Sequence, residues 1–133
     1  MTDFSSLTAS QLGDMIGQGK IDPVELTEHF LSQIELSPIG RKIYSTVTFK
    51  LALEQAKDSK KRADAGRRLS SLDGVPISWK DLFDISGYPC EAGSELLAGR
   101  LAIENANVYN FAEAHGLICL GKTHMSELAF SGL

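Results

Sequence analysis

Lys80 is the residue of this sequence best placed to do chemistry, because it stands where an extended apolar stretch ends. Apolar residues over 75–79 alternate with smaller or polar neighbours, which is the periodicity of a β-strand. A second apolar stretch follows over 82–85. A lysine between two such stretches either extends its ammonium group to water or is a desolvated amine held in its neutral form.

The neutral form would give Lys80 a catalytic role, since a neutral amine can accept a proton from a serine hydroxyl and so activate a nucleophile. Apolar neighbours such as Trp79 and Phe83 would favour that form by desolvation. Asp81 and Asp84 would favour the charged form, because a nearby carboxylate stabilises an ammonium ion. The sequence does not give the directions of these side chains, so both interpretations stay open.

Three further features could indicate chemistry, and none is persuasive. Residues 116–123 match the phosphate-loop pattern G-x-x-x-x-G-K-[ST], but the four central residues are bulky and strand-like, and a helix is predicted before Gly116. His124 and Glu127 lie one helical turn apart, whereas a zinc site needs three or four ligands. Cys119 lies within an apolar run, which favours a small core residue over a nucleophile. We therefore expect no cofactor and no metal.

The composition is that of a single soluble domain. The 133 residues are 43% hydrophobic and 23% charged, with a net charge of −4. That charge argues against a protein that coats DNA, and no apolar run approaches the roughly 20 residues of a membrane helix. Cys90 and Cys119 form no spaced framework, which favours reduced thiols and a cytoplasmic location.

Residues 1–70 are predicted to be mainly helical, because apolar residues recur there at helical spacing between recognisable caps. The predicted elements are a helix capped by Thr8 or Ser10, a helix begun by Asp22 and Pro23, a strand or extended link at 43–47, and a helix over 48–65.

Residues 71–133 alternate between short strands and helices, which indicates an α/β fold. The predicted elements are the strand ending at Lys80, a short helix over 95–98, a helix capped by Asn105 or Asn107 and ending at Ala114, a buried strand over 117–120, and a helix beginning near His124. Three or four short strands are too few for a well-covered sheet. We therefore expect these residues to be the N-terminal part of a larger domain.

Positive charge accumulates at the end of the predicted helix over 48–65. The cations are Lys57, Lys60, Lys61, Arg62, Arg67 and Arg68. They fit either a solvated helix end whose cations complement the helix dipole, or a patch that binds RNA or another acidic partner. No aromatic side chains interleave with these charges, which weakens the interpretation as an RNA site.

Two blocks of sequence resemble the amidase signature family. The first block contains 74–81, 84–85, Gly87, Pro89 and 92–94, and the second runs from Asn105 to Gly116 and from Gly121 to Ala129. Together the two blocks are far more specific than the phosphate-loop pattern. The resemblance extends over nearly the whole chain, because the early helices are similar to those of the family as well.

The resemblance implies an α/β/α fold with a mixed central sheet, incomplete here, in which 1–70 is a helical segment and 71–133 begins the catalytic core. It implies an enzyme that hydrolyses a small-molecule amide, or transfers its acyl group, through a Ser–cis-Ser–Lys triad. Lys80 falls on the triad lysine, which in the family accepts a proton from the cis-serine that deprotonates the nucleophile. Both serines would follow Leu133, so the chain alone is expected to be inactive.

The same resemblance implies that backbone around Ala129 and Phe130 edges the acyl pocket. The alternative function is a non-catalytic binding module of the same fold, which would use the basic helix end to contact RNA or an acidic partner. We expect no DNA partner, and an RNA partner is not favoured. The sequence names neither the amide nor the oligomeric state.

Overall fold

The computed structural model describes residues 4–130, and its centre is a three-stranded sheet. The strands are β1 (Tyr44–Val47), β2 (Pro76–Lys80) and β3 (Ile118–Thr123). In the order β1-β3-β2, β1 is antiparallel to β3 and β2 is parallel to it. The sheet is therefore mixed, and the α/β class expected from the alternation of elements is confirmed.

Helices surround this sheet in the described part of the chain. They are α1 (Ala9–Gly17), α2 (Pro23–Leu36), α3 (Gly40–Ile43), α4 (Phe49–Asp64) and α5 (Asn107–Ala114), with short 3-10 turns at Phe4–Ser6, Glu95–Leu97 and Glu127–Ala129. Four of the α-helices precede β2. The division of the domain at residue 70 stays a prediction.

The first two α-helices begin at residues whose side chains signal a start. The Gln11 N–H donates to the Thr8 hydroxyl at 3.2 Å, and the Thr8 N–H donates to the Gln11 side-chain oxygen at 2.8 Å. Asp22 accepts from the Val24 N–H at 2.7 Å, with Pro23 at the first helical position. The predicted starts at Thr8 and Asp22 are confirmed.

β3 is the centre of the core, and its successive side chains pack in two directions. Ile118 and Leu120 pack against α2 and α4. Cys119 packs instead with Trp79 of β2 and Tyr109 of α5. The central strand is thus covered on both of its faces.

An ion pair with a buried carboxylate fixes the chain ahead of β2. The Asp73 side chain is fully buried, and its oxygens accept from the Arg62 guanidinium at 2.7 and 2.8 Å. The Leu69 N–H donates to the same carboxylate at 2.9 Å. Burial alone would raise the pKa of Asp73, but the hydrogen bonds from Arg62 and Leu69 outweigh it and lower the pKa. The end of α4 is thereby held to the segment that leads into β2.

The prediction that a helix begins near His124 is wrong. β3 continues to Thr123, and the described residues after it, 124–130, make a single 3-10 turn at Glu127–Ala129. Leu128 has a positive φ of 49°, and its N–H donates to the Ala92 carbonyl at 2.8 Å. A hydrogen bond to a distant segment thus replaces the helical one.

The prediction that Asn105 or Asn107 caps α5 is also wrong. The N-cap is Ala106, whose side chain offers no acceptor. The side-chain oxygen of Asn105 accepts instead from the Ser86 N–H at 2.7 Å. It therefore joins the start of α5 to the loop after β2, a contact that local sequence patterns do not signal.

Residues 116–123 do not form a phosphate loop, in agreement with the sequence argument. Most of them are the strand β3, and Lys122 is fully buried. The Cys119 residue is 1% exposed, and burial raises the pKa of its thiol. The prediction of Cys119 as a core residue is confirmed.

Candidate active site

The candidate site lies at one edge of the sheet, where polar side chains from all three strands meet. β2 ends at Lys80, and the parallel strand β3 ends at Thr123, which is the register partner of Lys80. β1 begins at Tyr44, whose partner on β3 is also Thr123. The three residues form one row at the carboxyl ends of the parallel strands, the edge at which open α/β sheets bind ligands.

Lys80 and Ser78 lie on the face of β2 opposite Trp79, because side chains alternate along a strand. Both are exposed, whereas Trp79 is buried with its ring centroid 5.6 Å from that of Phe83 and 5.4 Å from that of Tyr109. The sequence left open whether Trp79 and Phe83 desolvate the Lys80 amine, and within residues 4–130 Lys80 is exposed. The amine belongs to a polar, open face.

The two carboxylates nearest to Lys80 in sequence are paired with other cations. Asp81 Oδ1 lies 2.8 Å from Nζ of Lys122. Asp84 accepts from the Arg100 guanidinium at 2.7 and 2.8 Å, and these hydrogen bonds lower the pKa of Asp84. None of the ion pairs formed within residues 4–130 includes Lys80. The side-chain directions that the sequence left open thus give Lys80 no carboxylate partner in this part of the chain.

Lys122 is a buried charge that the sequence analysis did not place. Its side chain is 0% exposed, and Nζ donates to the Pro89 carbonyl at 2.8 Å besides contacting Asp81. One feature of the sequence could have indicated that Lys122 is buried. It lies almost directly after the apolar run 117–120, where a lysine is unusual. Its partner follows another strand, and no local pattern links the two residues.

Two loops follow the carboxyl ends of β2 and β3 and are joined to each other. The Leu128 N–H donates to the Ala92 carbonyl at 2.8 Å, and the Ser94 hydroxyl donates to the Glu127 carboxylate at 2.7 Å. Among the described residues, those other than glycine with a positive φ are Ala92, Leu128 and Ala129, at 48°, 49° and 58°. Such conformations are costly and concentrate at functional sites. The strained backbone lies beside the carboxyl edge of the sheet.

Ala129 and Phe130 lie in the second of these loops. The Phe130 residue is 92% exposed, and its N–H donates to the Glu127 carbonyl at 2.8 Å. An aromatic ring with this exposure is available to contact a ligand or another part of the protein. The role of both residues at the edge of an acyl pocket stays a prediction.

Three of the basic residues at the end of α4 are engaged by carboxylates of the chain itself. Lys60 lies 2.9 Å from Asp64, and Lys61 lies 2.8 Å from Asp58. Arg62 is bound by the buried carboxylate ahead of β2. These contacts favour the interpretation as a helix end over that as a patch for an acidic partner.

Metal ligands and membrane spans were also sought in the described part of the chain. No three of its His, Cys, Asp and Glu side chains are grouped so that they could hold a metal ion. No helix within residues 4–130 combines the length and the apolar character needed to cross a bilayer.

A mixed sheet with an exposed lysine at its carboxyl edge, flanked by two joined loops, defines an α/β protein with a polar site that a ligand can reach. Comparison with known proteins gives the family. The sequence profile of the Amidase family matches residues 25–132, and the chain belongs to this family. The resemblance drawn from the two sequence blocks is confirmed.

Individual relatives agree with this assignment. The chain is 38% identical over 129 residues, 97% of its length, to the glutamyl-tRNA(Gln) amidotransferase A-subunit of Acinetobacter baylyi. It is 36% identical over 92% of its length to the mitochondrial form of that protein from Ornithorhynchus anatinus. The crystal structure of a bacterial aryl acylamidase of the amidase signature family superposes over 95% of the chain with a TM-score of 0.84 and 25% identity. The chain spans about a quarter of these proteins, 26%, 23% and 26% of their respective lengths.

Proposed function

We propose that the protein containing these residues hydrolyses a small amide, or transfers its acyl group, and that Lys80 is the proton acceptor. The observation that carries the proposal is the position of Lys80, exposed at the carboxyl end of β2 and without a carboxylate partner within residues 4–130. In its neutral form, an amine in that position can accept the proton of a serine hydroxyl. Membership of the Amidase family supports this assignment.

The two serines of a Ser–cis-Ser–Lys triad would come from residues outside this chain. Lys80 would take the proton of the bridging serine, which would take that of the nucleophile. The nucleophile's oxygen would bond to the amide carbon, and the leaving amine would recover a proton as the carbon–nitrogen bond breaks. Water, or an acceptor in a transfer reaction, would then release the acyl group. The open face of the sheet around Lys80 leaves room for a serine-bearing loop.

The chain itself is proposed to be inactive, since it supplies the lysine and neither of the other two triad members. Ser78 is assigned neither serine role; its hydroxyl is hydrogen-bonded to that of Tyr44. Ala129 and Phe130 are proposed to edge the acyl pocket, since their loop follows β3 at the carboxyl edge of the sheet. The substrate is proposed to be a small-molecule amide, and the similarity of the fold to that of an aryl acylamidase supports an amide substrate.

A cytoplasmic location is also part of the proposal. Cys90 and Cys119 are both buried and free, as is usual for thiols in a reducing compartment. The similarity to a mitochondrial relative favours the competing location, the mitochondrion.

Lys80→Met in the full-length protein tests the catalytic role. Methionine keeps an unbranched side chain and removes the amine, so we expect amide hydrolysis to fall by about 10²–10⁴-fold with the fold retained. The assay is release of ammonia or amine from a panel of aliphatic amides, aryl amides and glutamine. The matched control is Lys57→Met, an exposed lysine of α4, which should leave turnover unchanged. Near-normal turnover by Lys80→Met would defeat the assignment.

A further inference from the structure

We propose that the buried ion pair between Asp81 and Lys122 is a positioning device, which fixes the backbone around Lys80 and thereby sets the turnover of the enzyme. This inference rests on the proposed function of Lys80 as proton acceptor. Neither member of the pair touches the reacting atoms. Both act through the strand end to which Lys80 belongs.

The pair is enclosed by the protein, and each member has a further partner. The Lys122 side chain is 0% exposed and that of Asp81 is 7% exposed, with Nζ and Oδ1 2.8 Å apart. Burying two charges is costly unless each has further partners. The other Asp81 oxygen accepts from the Glu91 N–H at 3.2 Å, and Lys122 Nζ donates to the Pro89 carbonyl at 2.8 Å. The pair therefore connects both strand ends to the loop that follows β2.

The backbone of Asp81 makes connections to the same segments. Its N–H donates to the Thr123 carbonyl at 3.0 Å, and its carbonyl accepts from the Ala92 N–H at 3.1 Å. The Cys90 thiol donates to that carbonyl at 3.5 Å. The residue directly after Lys80 thus joins the end of β2 to the end of β3 and to the loop after β2.

The position of Lys80 depends on this junction because Lys80 and Asp81 share a peptide bond. The amine must meet a serine hydroxyl at hydrogen-bond distance, and a misplacement of about 1 Å can cost about 10²-fold in rate. Loss of either charge would leave the other buried and unpaired, so the junction would rearrange to expose it to water. The effect should fall on kcat, since proton transfer needs the alignment, and much less on KM.

A second ion pair, whose carboxylate is buried while its arginine is 28% exposed, provides a control at the opposite end of the same strand. Asp73, whose carboxylate lies 2.7 Å from the Arg62 guanidinium, precedes β2, whereas Asp81 follows it. Asp73→Asn removes a buried charge just as Asp81→Asn does, but at the amino end of the strand. If the Asp81–Lys122 pair only held the fold together, the two variants would behave alike.

The experiment compares the steady-state kinetics of the full-length enzyme and its variants, at a temperature where thermal melts show each of them folded. For Asp81→Asn and Lys122→Met we expect kcat to fall by about 10²-fold, with KM within about threefold of the wild-type value. For Asp73→Asn we expect a lower Tm and an unchanged kcat. A wild-type kcat in Asp81→Asn, or an equal loss of kcat in Asp73→Asn, would overturn the inference.

Two further variants keep the result decisive. If the single variants do not fold, the double variant Asp81→Asn/Lys122→Met restores neutrality. A reduced kcat in that variant supports the positioning role, since the bond from Nζ to Pro89 is lost, and a wild-type kcat overturns it.

Lys80→Met separates the two levels of inference. If Lys80→Met stays active, the proposed function fails; if it is inactive while Asp81→Asn has wild-type kcat, only the positioning role fails.

Discussion

Tyr44 and Ser78 belong to strands that do not pair with each other, and yet their hydroxyl oxygens lie 2.5 Å apart. The intervening strand has Gly121 at this level, in register with Ser78 on one side and with Val47 on the other. A Cβ on Gly121 would come within 3.1 Å of Cδ1 of the Tyr44 ring. The tyrosine therefore reaches across β3 because this position has no side chain, and the resulting hydroxyl pair lies two residues before Lys80.

Removing either hydroxyl should weaken this edge of the sheet by a modest amount. Tyr44→Phe and Ser78→Ala are each expected to lower the free energy of unfolding of the full-length protein by about 1 kcal/mol. The double variant should lose less than the sum, because both changes remove the same hydrogen bond. Urea unfolding of the four proteins measures the coupling, and strictly additive losses would contradict the bond.

Gly121→Ala should be much more destabilising. The new Cβ would lie 2.3 Å from the Thr46 carbonyl oxygen on β1, as well as against the Tyr44 ring. Main-chain atoms of a paired strand cannot move aside without disturbing the β1–β3 hydrogen bonds. We expect the free energy of unfolding to fall by about 3 kcal/mol, measured by urea unfolding of the full-length protein.

Gly87→Ala is the matched control for that substitution. Gly87 also has a positive φ, 81°, but a Cβ there would meet no atom within 4 Å. Only the conformational cost, about 1–2 kcal/mol, is therefore expected. If Gly121→Ala and Gly87→Ala lowered the free energy of unfolding equally, lack of space would not be the reason that position 121 needs glycine.

Asp73 should make the stability of the protein depend on pH in a definite direction. Against the opposing effect of burial, the hydrogen bonds from Arg62 and from the Leu69 N–H lower the folded pKa of Asp73 below the unfolded value of about 3.9. Such a group contributes its full stabilisation above the unfolded pKa and loses it as the pH falls through the folded pKa. We therefore expect the free energy of unfolding to decline below about pH 4. Asp73→Asn should be less stable at neutral pH and less sensitive to acid.

Denaturant melts between about pH 6 and pH 3 measure this dependence. Asp58 provides the comparison, because the hydrogen bond from Lys61 lowers its pKa as well, but the pair is exposed to solvent. Solvent and salt screen an exposed pair, so Asp58→Asn should leave the acid dependence nearly unchanged. An Asp73→Asn variant with the wild-type dependence on pH would rule out the buried pair as its source.

Much of what positions Lys80 follows from local sequence. The alternation over 75–79 predicts a strand that ends at the lysine, and β2 is Pro76–Lys80. The apolar run 117–120 marks the central strand, and Asp22 marks the start of α2. These elements could be predicted because caps and side-chain periodicity are set by residues only a few positions apart.

The electrostatic part of the site depends on contacts that no local pattern records. Lys122 meets Asp81 because β2 and β3 are parallel neighbours, and the sequence does not state which strands pair. Asn105 likewise makes a contact between distant segments, because its side-chain oxygen accepts from the Ser86 N–H while its amide nitrogen donates to Asn110 of α5. A further tertiary hydrogen bond, from the Leu128 N–H to the loop after β2, accompanies the departure of Leu128 from helical geometry. Tertiary hydrogen bonds outweigh local propensity at each of these positions.

The strand that carries Lys80 is one of the two outer strands of the sheet formed by residues 4–130. Its outward backbone groups have no strand partner in that part of the chain, and an unpaired strand edge is a template for pairing with another polypeptide. Exposed apolar side chains lie in the segments that follow, among them Ile103 and Phe130, which are 90% and 92% exposed. A product that stops soon after β3, from proteolysis or interrupted translation, would thus join its neighbours through the open edge of β2. Cells that make such a product would have to degrade it or hold it on chaperones.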